Sequence, residues 1–482
     1  MLFNSIDFAF FLPIVFFLYW FVFNKDLKIQ NLFIVISSFV FYAWWDWRFL
    51  LLMIGSASVD FFVGNKLRDT NDKSKRKMLL ILSLCINLGI LGFFKYFNFF
   101  ADNFVAAFSF FGFKFDHFSL RIILPVGISF YTFQALSYTI DVYRRRLIPT
   151  SSIVDFFAFI SFFPQLVAGP IERATNLLPQ FYKTRSFDYH KAVDGLRQIL
   201  WGLFKKIVIA DSAAEFVNQV FANYGSYSGS TLAVAAIMFA FQIYCDFSGY
   251  SDIAIGTARL FGFDLMRNFA FPYFSRDIAE FWRRWHISLS TWFRDYLYIP
   301  LGGSKVSRAM KLRNTFIIFI VSGFWHGANW TFIVWGALNA LYFVPLLLTN
   351  KNRTHIDTVA HGKILPSVSD SVKIFTSFTL TTIAWIFFRS ASLEDSFNYL
   401  NQIFSFSFFT TPYFNTSHGS FVFIIVLIIF ILTEWFGRER QFAIQTLGLK
   451  WKRPYRYTIY YIIIFSIFYF GGKEQQFIYF QF

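Results

Sequence analysis

The residues best suited to chemistry are two histidines set among tryptophans. His286 lies in Phe281-Trp-Arg-Arg-Trp-His286-Ile-Ser-Leu-Ser-Thr-Trp-Phe-Arg-Asp295, and His326 in Ser322-Gly-Phe-Trp-His326-Gly-Ala-Asn-Trp330. The 482 residues include only seven histidines, so two in such apolar surroundings stand out. Imidazole changes charge most readily near neutral pH. An ionisable group at membrane depth is costly, and therefore a functional candidate. In that setting His326 either packs and hydrogen-bonds between helices or takes a proton from a hydroxyl as general base. Burial keeps the ring neutral, as a base requires. His286 either belongs to an aromatic belt at a membrane surface or faces the same cavity, where it would polarise a carbonyl or orient an acceptor. Arg283, Arg284 and Arg294 suit phosphates or, by snorkelling, lipid headgroups.

Other chemistry is poorly supported. Asp246 and Asp252 stand six residues apart, which does not put both carboxylates on one helix face. The better reading is that Asp246 or Ser248 caps a helix restarting near Tyr250, with Gly249 permitting a break. Cys85 and Cys245 give neither a disulfide framework nor metal spacing. No metal site, Walker A loop, dinucleotide fingerprint or nucleophile elbow is expected.

The elements that must position these residues are transmembrane helices. Hydrophobic residues make up 56% of the chain and charged ones 15%. Long apolar runs favour helices over barrel strands. The spacing predicts helices near 7–23, 31–45, 49–64, 78–98, 119–140, 153–169, 195–210, 230–246, 313–325, 330–349, 371–389, 418–436 and 456–471. Shorter candidates lie near 250–263 and 394–408. Trp282, Trp285, His286, Leu289 and Phe293 recur at helical spacing. They predict one amphipathic helix from Ser275 to Arg294, lining an interface or an aqueous entrance. Pro125, Gly127, Gly169 and Pro170 imply irregular backbone at Leu124–Gln134 and Ala168-Gly-Pro170. No soluble domain is visible, so residues 1–482 are read as a single transmembrane domain.

The net charge of +16 does not indicate nucleic acid. The basic residues cluster in loops at Lys66–Lys77, Arg144–Arg146 and 438–456, which the positive-inside rule assigns to the cytoplasm. The 7–23 segment lacks a basic n-region and cleavage site, and reads as a retained helix.

Together these motifs resemble the membrane-bound O-acyltransferases, and within them the bacterial alginate O-acetylase-like branch. The resemblance runs through Met1-Leu-Phe-Asn-Ser with Phe11-Leu-Pro-Ile-Val, Leu124–Gln134, Ala168-Gly-Pro170, Asp246–Asp252, Phe281–Pro300 with Leu301-Gly-Gly303, and Trp325-His326-Gly327. It implies an all-α polytopic membrane protein, a ring of tilted helices around a central funnel with re-entrant or interfacial helices. It assigns catalysis to His326 and a supporting role to His286. A tunnel lined by Trp325, Asn329, Trp330, Trp282 and Trp285 would follow, with His286 or Asn329 as oxyanion donor. The implied donor is a cytoplasmic thioester, acetyl-CoA or an acyl carrier, with no permanently bound cofactor. The implied partners are membrane lipid, a polysaccharide acceptor, and a periplasmic acetyltransferase or acyl carrier. The implied location is the inner membrane. D-alanyl transfer to a teichoic acid-type polymer is an alternative within the family. A polysaccharide-associated transporter or channel is the alternative outside it, although no paired halves with matching breaks are evident.

Overall fold

A computed structural model describes residues 1–112, 119–120, 122–167, 169–472 and 475–480. Among these residues the secondary structure is helical, without strands. Helices Trp47–Asp69, Lys73–Phe110, Gly229–Leu260, Trp330–Leu348, Val368–Arg389 and Ser420–Gly437 are long and apolar enough to cross a membrane. The protein is an all-α, polytopic membrane protein.

The chain forms two compact units, Met1–Ala192 with Thr257–Met266, and Val193–Gly256 with Arg267–Phe482. In the first, helices Trp47–Asp69, Lys73–Leu91 and Ile128–Tyr143 pack around the fully buried Asp60. Its carboxylate accepts from Asn87 Nδ2 at 2.8 Å, Thr139 Oγ1 at 2.9 Å and Ser83 Oγ. Arg76 donates to the carbonyls of Thr70 at 3.0 Å and Tyr143 at 2.8 Å, and so holds two helix C-termini where backbone acceptors would otherwise be unpaired. This charge from the Lys66–Lys77 loop is therefore buried structure.

The second unit contains both histidines. Its Tyr189–Leu203 helix, continued by a π-helical stretch Phe204–Asp211, packs closely on Gly229–Leu260. A Cβ on Gly249 would lie 2.8 Å from the Gly202 carbonyl oxygen, so side chains there would force the helices apart.

Several expected boundaries move. The segments near 230–246 and 250–263 are one unbroken helix of 32 residues, so Asp246, Ser248 and Gly249 mark no break. Asp246 is instead paired with a lysine, and Gly249 serves helix packing. The helix expected near 119–140 begins at Ile128, because Gly127 takes a left-handed φ of 74° behind Pro125. Arg121 of that segment, and Ala168 of Ala168-Gly-Pro170, lie outside the described residues.

Candidate active site

The Ser275–Arg294 segment is two helices, not one. Ile278–Arg284 is capped by Asp277, which accepts the Glu280 N–H at 2.7 Å. Ser275 does not cap it; its hydroxyl donates to the Pro272 carbonyl at 2.6 Å. The second helix, Ile287–Phe293, starts after His286, which sits at φ 43° in the left-handed region. A non-glycine residue there is strained and persists where its surroundings over-determine it. The neighbouring backbone does so: Ala270 N–H donates to the Arg284 carbonyl and Ile287 N–H to the Asn268 carbonyl, each at 2.9 Å.

This kink sends His286 inward, where it is 1% exposed. Its Nδ1 lies 3.0 Å from Asn268 Oδ1. The Ser288 N–H, which can only donate, points at the same oxygen from 3.4 Å, and Ser288 Oγ donates to it at 2.9 Å. Asn268 Oδ1 is therefore an acceptor and His286 Nδ1 carries the proton, leaving the ring's lone pair on Nε2. Asn268 Nδ2 donates in turn to Ser251 Oγ at 3.1 Å. Burial pushes the His286 pKa down to about 3, so the ring is neutral at physiological pH. A neutral imidazole with this tautomer accepts a hydrogen bond at Nε2. It suits orientation of a hydroxyl; polarising a carbonyl would need a proton on that nitrogen.

His326 ends the Arg308–His326 helix and is 4% exposed. Its ring is enclosed by Trp325, Trp335, Phe388 and Tyr479, at centroid distances of 5.0, 5.1, 5.3 and 5.5 Å. His286 meets two of the same rings, Trp325 at 6.1 Å and Tyr479 at 6.5 Å. The structure thus brings both histidines to one aromatic cluster. What approaches Gly327 is protein: a Cβ there would clash with the Phe332 ring at 2.0 Å.

The other expected lining residues have varied places. Trp325 lies between the histidines. Trp282 donates to Asn339 Oδ1 at 3.2 Å and packs on Trp335. Trp285 is buried behind His286, against Phe269 and Trp385. Asn329 caps the Trp330–Leu348 helix by accepting the Thr331 N–H at 3.0 Å, and its amide donates to the Ala391 carbonyl at 2.9 Å. Its oxygen and one of its two amide N–H groups are thus engaged by the fold. Trp330 is 50% exposed. Arg283 donates to the Asn352 carbonyl at 2.8 Å and the His355 carbonyl at 2.6 Å, so it holds a loop of the protein where headgroup contact was an expectation.

A cavity of about 470 Å³ is lined by Trp282, which packs on Trp335 of the cluster. Its walls carry the cations Arg294, Lys311 and Arg353 together with apolar Leu289 and Phe319. Ser322 is also in the wall, four residues before His326 and hence on the same helix face.

Residues 79–388 match the model of the membrane-bound O-acyltransferase family. The chain belongs to this family. It is 36% identical to a "Probable alginate O-acetylase" of Pseudomonas putida across 100% of both chains. It is 37% identical to the like-named protein of Pseudomonas aeruginosa over 93% of this chain and 84% of that one. A peptidoglycan O-acetyltransferase of Helicobacter pylori is 35% identical over 83% of this chain and 79% of its own. This membrane-bound O-acyltransferase also places at its histidine cluster residues that sequence reasoning passed over. Asn268 had no motif to mark it. Trp335, Phe388 and Tyr479 looked like any other aromatics in a chain holding 74 phenylalanines and 24 tyrosines.

Proposed function

We propose that this acyltransferase moves an acetyl group from a cytoplasmic thioester to a hydroxyl of an extracytoplasmic polysaccharide, directly or through a periplasmic partner. Residues 1–482 would act as one catalytic domain in the inner membrane, with the basic loops facing the cytoplasm. The observation that carries the reading is the placement of His286 and His326 against the shared rings of Trp325 and Tyr479. The named acetylase relatives support acetyl as the group transferred.

His326 takes the proton of the acceptor hydroxyl as its oxygen attacks the thioester carbonyl. His286 Nε2 orients that hydroxyl by accepting from it or from a neighbouring hydroxyl. The tetrahedral intermediate collapses, the C–S bond breaks, and the thiolate receives the proton from His326. The cavity with Arg294, Lys311 and Arg353 suits a phosphate-bearing thioester, whose pantetheine arm would run along the apolar wall. The test is acetyl transfer by purified protein in proteoliposomes, using labelled acetyl-CoA or acetylated carrier and a glycan acceptor. His326→Ala is expected to lower turnover by about 10²–10⁴ while the protein still inserts. Undiminished transfer by a folded His326→Ala protein would contradict the reading.

A further inference from the structure

Two helices of the second unit that are long and apolar enough to cross a membrane, Val368–Arg389 and Ser420–Gly437, border another cavity, of about 360 Å³. Ser371, Ile374, Phe375 and Phe378 line it at the i, i+3, i+4, i+7 spacing of one helix face. Along the axis that face runs about 10 Å. Phe430, Ile431, Glu434 and Trp435 line it from the other helix. Tyr273 and Phe274 complete the wall, their rings 5.1 Å from Phe378 and 5.1 Å from Trp435.

The polar side chains of this wall are bonded within the protein. Glu434 accepts from Trp201 Nε1 at 3.0 Å and from the Tyr244 O–H at 2.6 Å. The Tyr273 O–H donates to the Ala240 carbonyl at 2.6 Å, and Ser371 Oγ to the Ser367 carbonyl at 3.1 Å. Trp435 Nε1 donates to the Ile364 carbonyl at 2.7 Å. The wall therefore offers rings and alkyl groups, which give water little to bond to and suit a hydrocarbon chain. Phe375 of the wall is 71% exposed. On a membrane-crossing helix, that exposure is to lipid.

The Trp435 end of the cavity is basic. Arg438 stacks 4.1 Å over the Trp435 ring and donates to the Lys363 carbonyl at 2.5 Å. Together with the Trp435–Ile364 bond, this fixes the exposed Lys363 beside the indole. Arg440, also exposed, follows. Glu439 between the two arginines lies 3.3 Å from His361 Nδ1 and accepts the Gly362 N–H at 2.8 Å. A tryptophan bordered by cations is the composition of a membrane interface, and basic groups between membrane helices attract anionic headgroups.

We propose that this cavity binds an anionic phospholipid, with one acyl chain among the rings and the phosphate against Lys363. The inference does not depend on the acyl-transfer reading.

The test is native mass spectrometry of the purified protein released from nanodiscs holding equal amounts of phosphatidylglycerol and phosphatidylcholine. Wild type should retain one phosphatidylglycerol in preference to phosphatidylcholine. Ile374→Trp, which fills the cavity from its wall, should lose that lipid. Lys363→Gln should hold it about fivefold more weakly, the scale of one cation near a headgroup. Lys363 is exposed and outside any helix, so this variant decides alone should Ile374→Trp not fold. Equal retention of the two lipids by wild type overturns the anionic site. Wild-type retention in a folded Ile374→Trp protein overturns the seat of the chain, and wild-type retention in Lys363→Gln overturns that of the phosphate.

Discussion

Asp60 and the histidine cluster are both buried polar sites, and they are built oppositely. Asp60 is surrounded by donors from three side chains, Ser83, Asn87 and Thr139, on the two helices packed against its own. These three bonds each join one helix to another. The histidines are surrounded by rings. Trp325, Trp335, Phe388 and Tyr479 supply a low dielectric and shape. On the proposed function, the contrast separates polar groups that hold helices together from those arranged for a ligand. A saturated carboxylate at membrane depth is glue. On the proposed function, a neutral imidazole with an oriented lone pair, set among these rings, is prepared for chemistry.

The sharpest way to break this contrast within the cluster is His286→Ala. Turnover should fall on the order of 10²-fold, less than for His326→Ala, because an orienting group contributes less than the group that takes the proton. Single-turnover transfer in proteoliposomes measures it, and wild-type turnover would place His286 with the glue. A smaller effect tests the tautomer. Asn268→Leu should lower kcat by about tenfold, the scale of one lost hydrogen bond and a misdirected ring. Asn268→Asp keeps the acceptor and should restore most activity at high pH. A carboxylate beside the imidazole raises its pKa, so the acid limb of the rate profile should move to higher pH. An unchanged pH profile in Asn268→Asp would show that the two side chains are not coupled.

The smallest expected effect is on stability in acid. The folded His286 pKa of about 3 lies below its ordinary value of 6.5. Between those values the unfolded chain binds a proton that the folded chain does not, so stability falls as pH drops through 6.5 toward 3. Replacing His286 by Gln should flatten that decline, by at most about 1.4 kcal/mol per pH unit for one proton. Parallel acid melts of wild type and His286→Gln report it, and parallel curves would contradict the buried neutral ring.

Much of the fold is legible in the sequence. The apolar runs gave most helices, and the tryptophan-flanked histidines marked the cluster. The kink at His286 was not legible, since Trp282, Trp285, Leu289 and Phe293 fit an unbroken helix. The break is imposed by backbone bonds from Ala270 and Asn268, which periodicity does not encode. The Asp246–Asp252 stretch misled in the other direction. Its glycine suggested a break, whereas Asp246 pairs with Lys206 and Asp252 with Lys205 at 2.6 Å across one packed helix pair. The basic loops read only as cytoplasmic clusters, and their charges turn out partly to hold the fold. Arg438, for example, donates to the Val359 carbonyl at 2.9 Å and stacks 4.1 Å over Trp435. Tyr479 was hidden because a tyrosine near the end of a strongly aromatic chain carries no signal until folding brings it to the histidines.

The central claim is that chemistry resides in the histidine cluster and that Asp60 is structural. It is tested most directly by assaying His326→Ala and Asp60→Ala side by side, as turnover per folded molecule after size exclusion. Asp60→Ala leaves three buried side chains short of their acceptor, each loss worth about 1–3 kcal/mol. The account predicts a low yield of Asp60→Ala protein whose folded fraction works within about threefold of wild type, and a well-folded His326→Ala protein that is inactive. A folded, inactive Asp60→Ala beside a folded, active His326→Ala would contradict it.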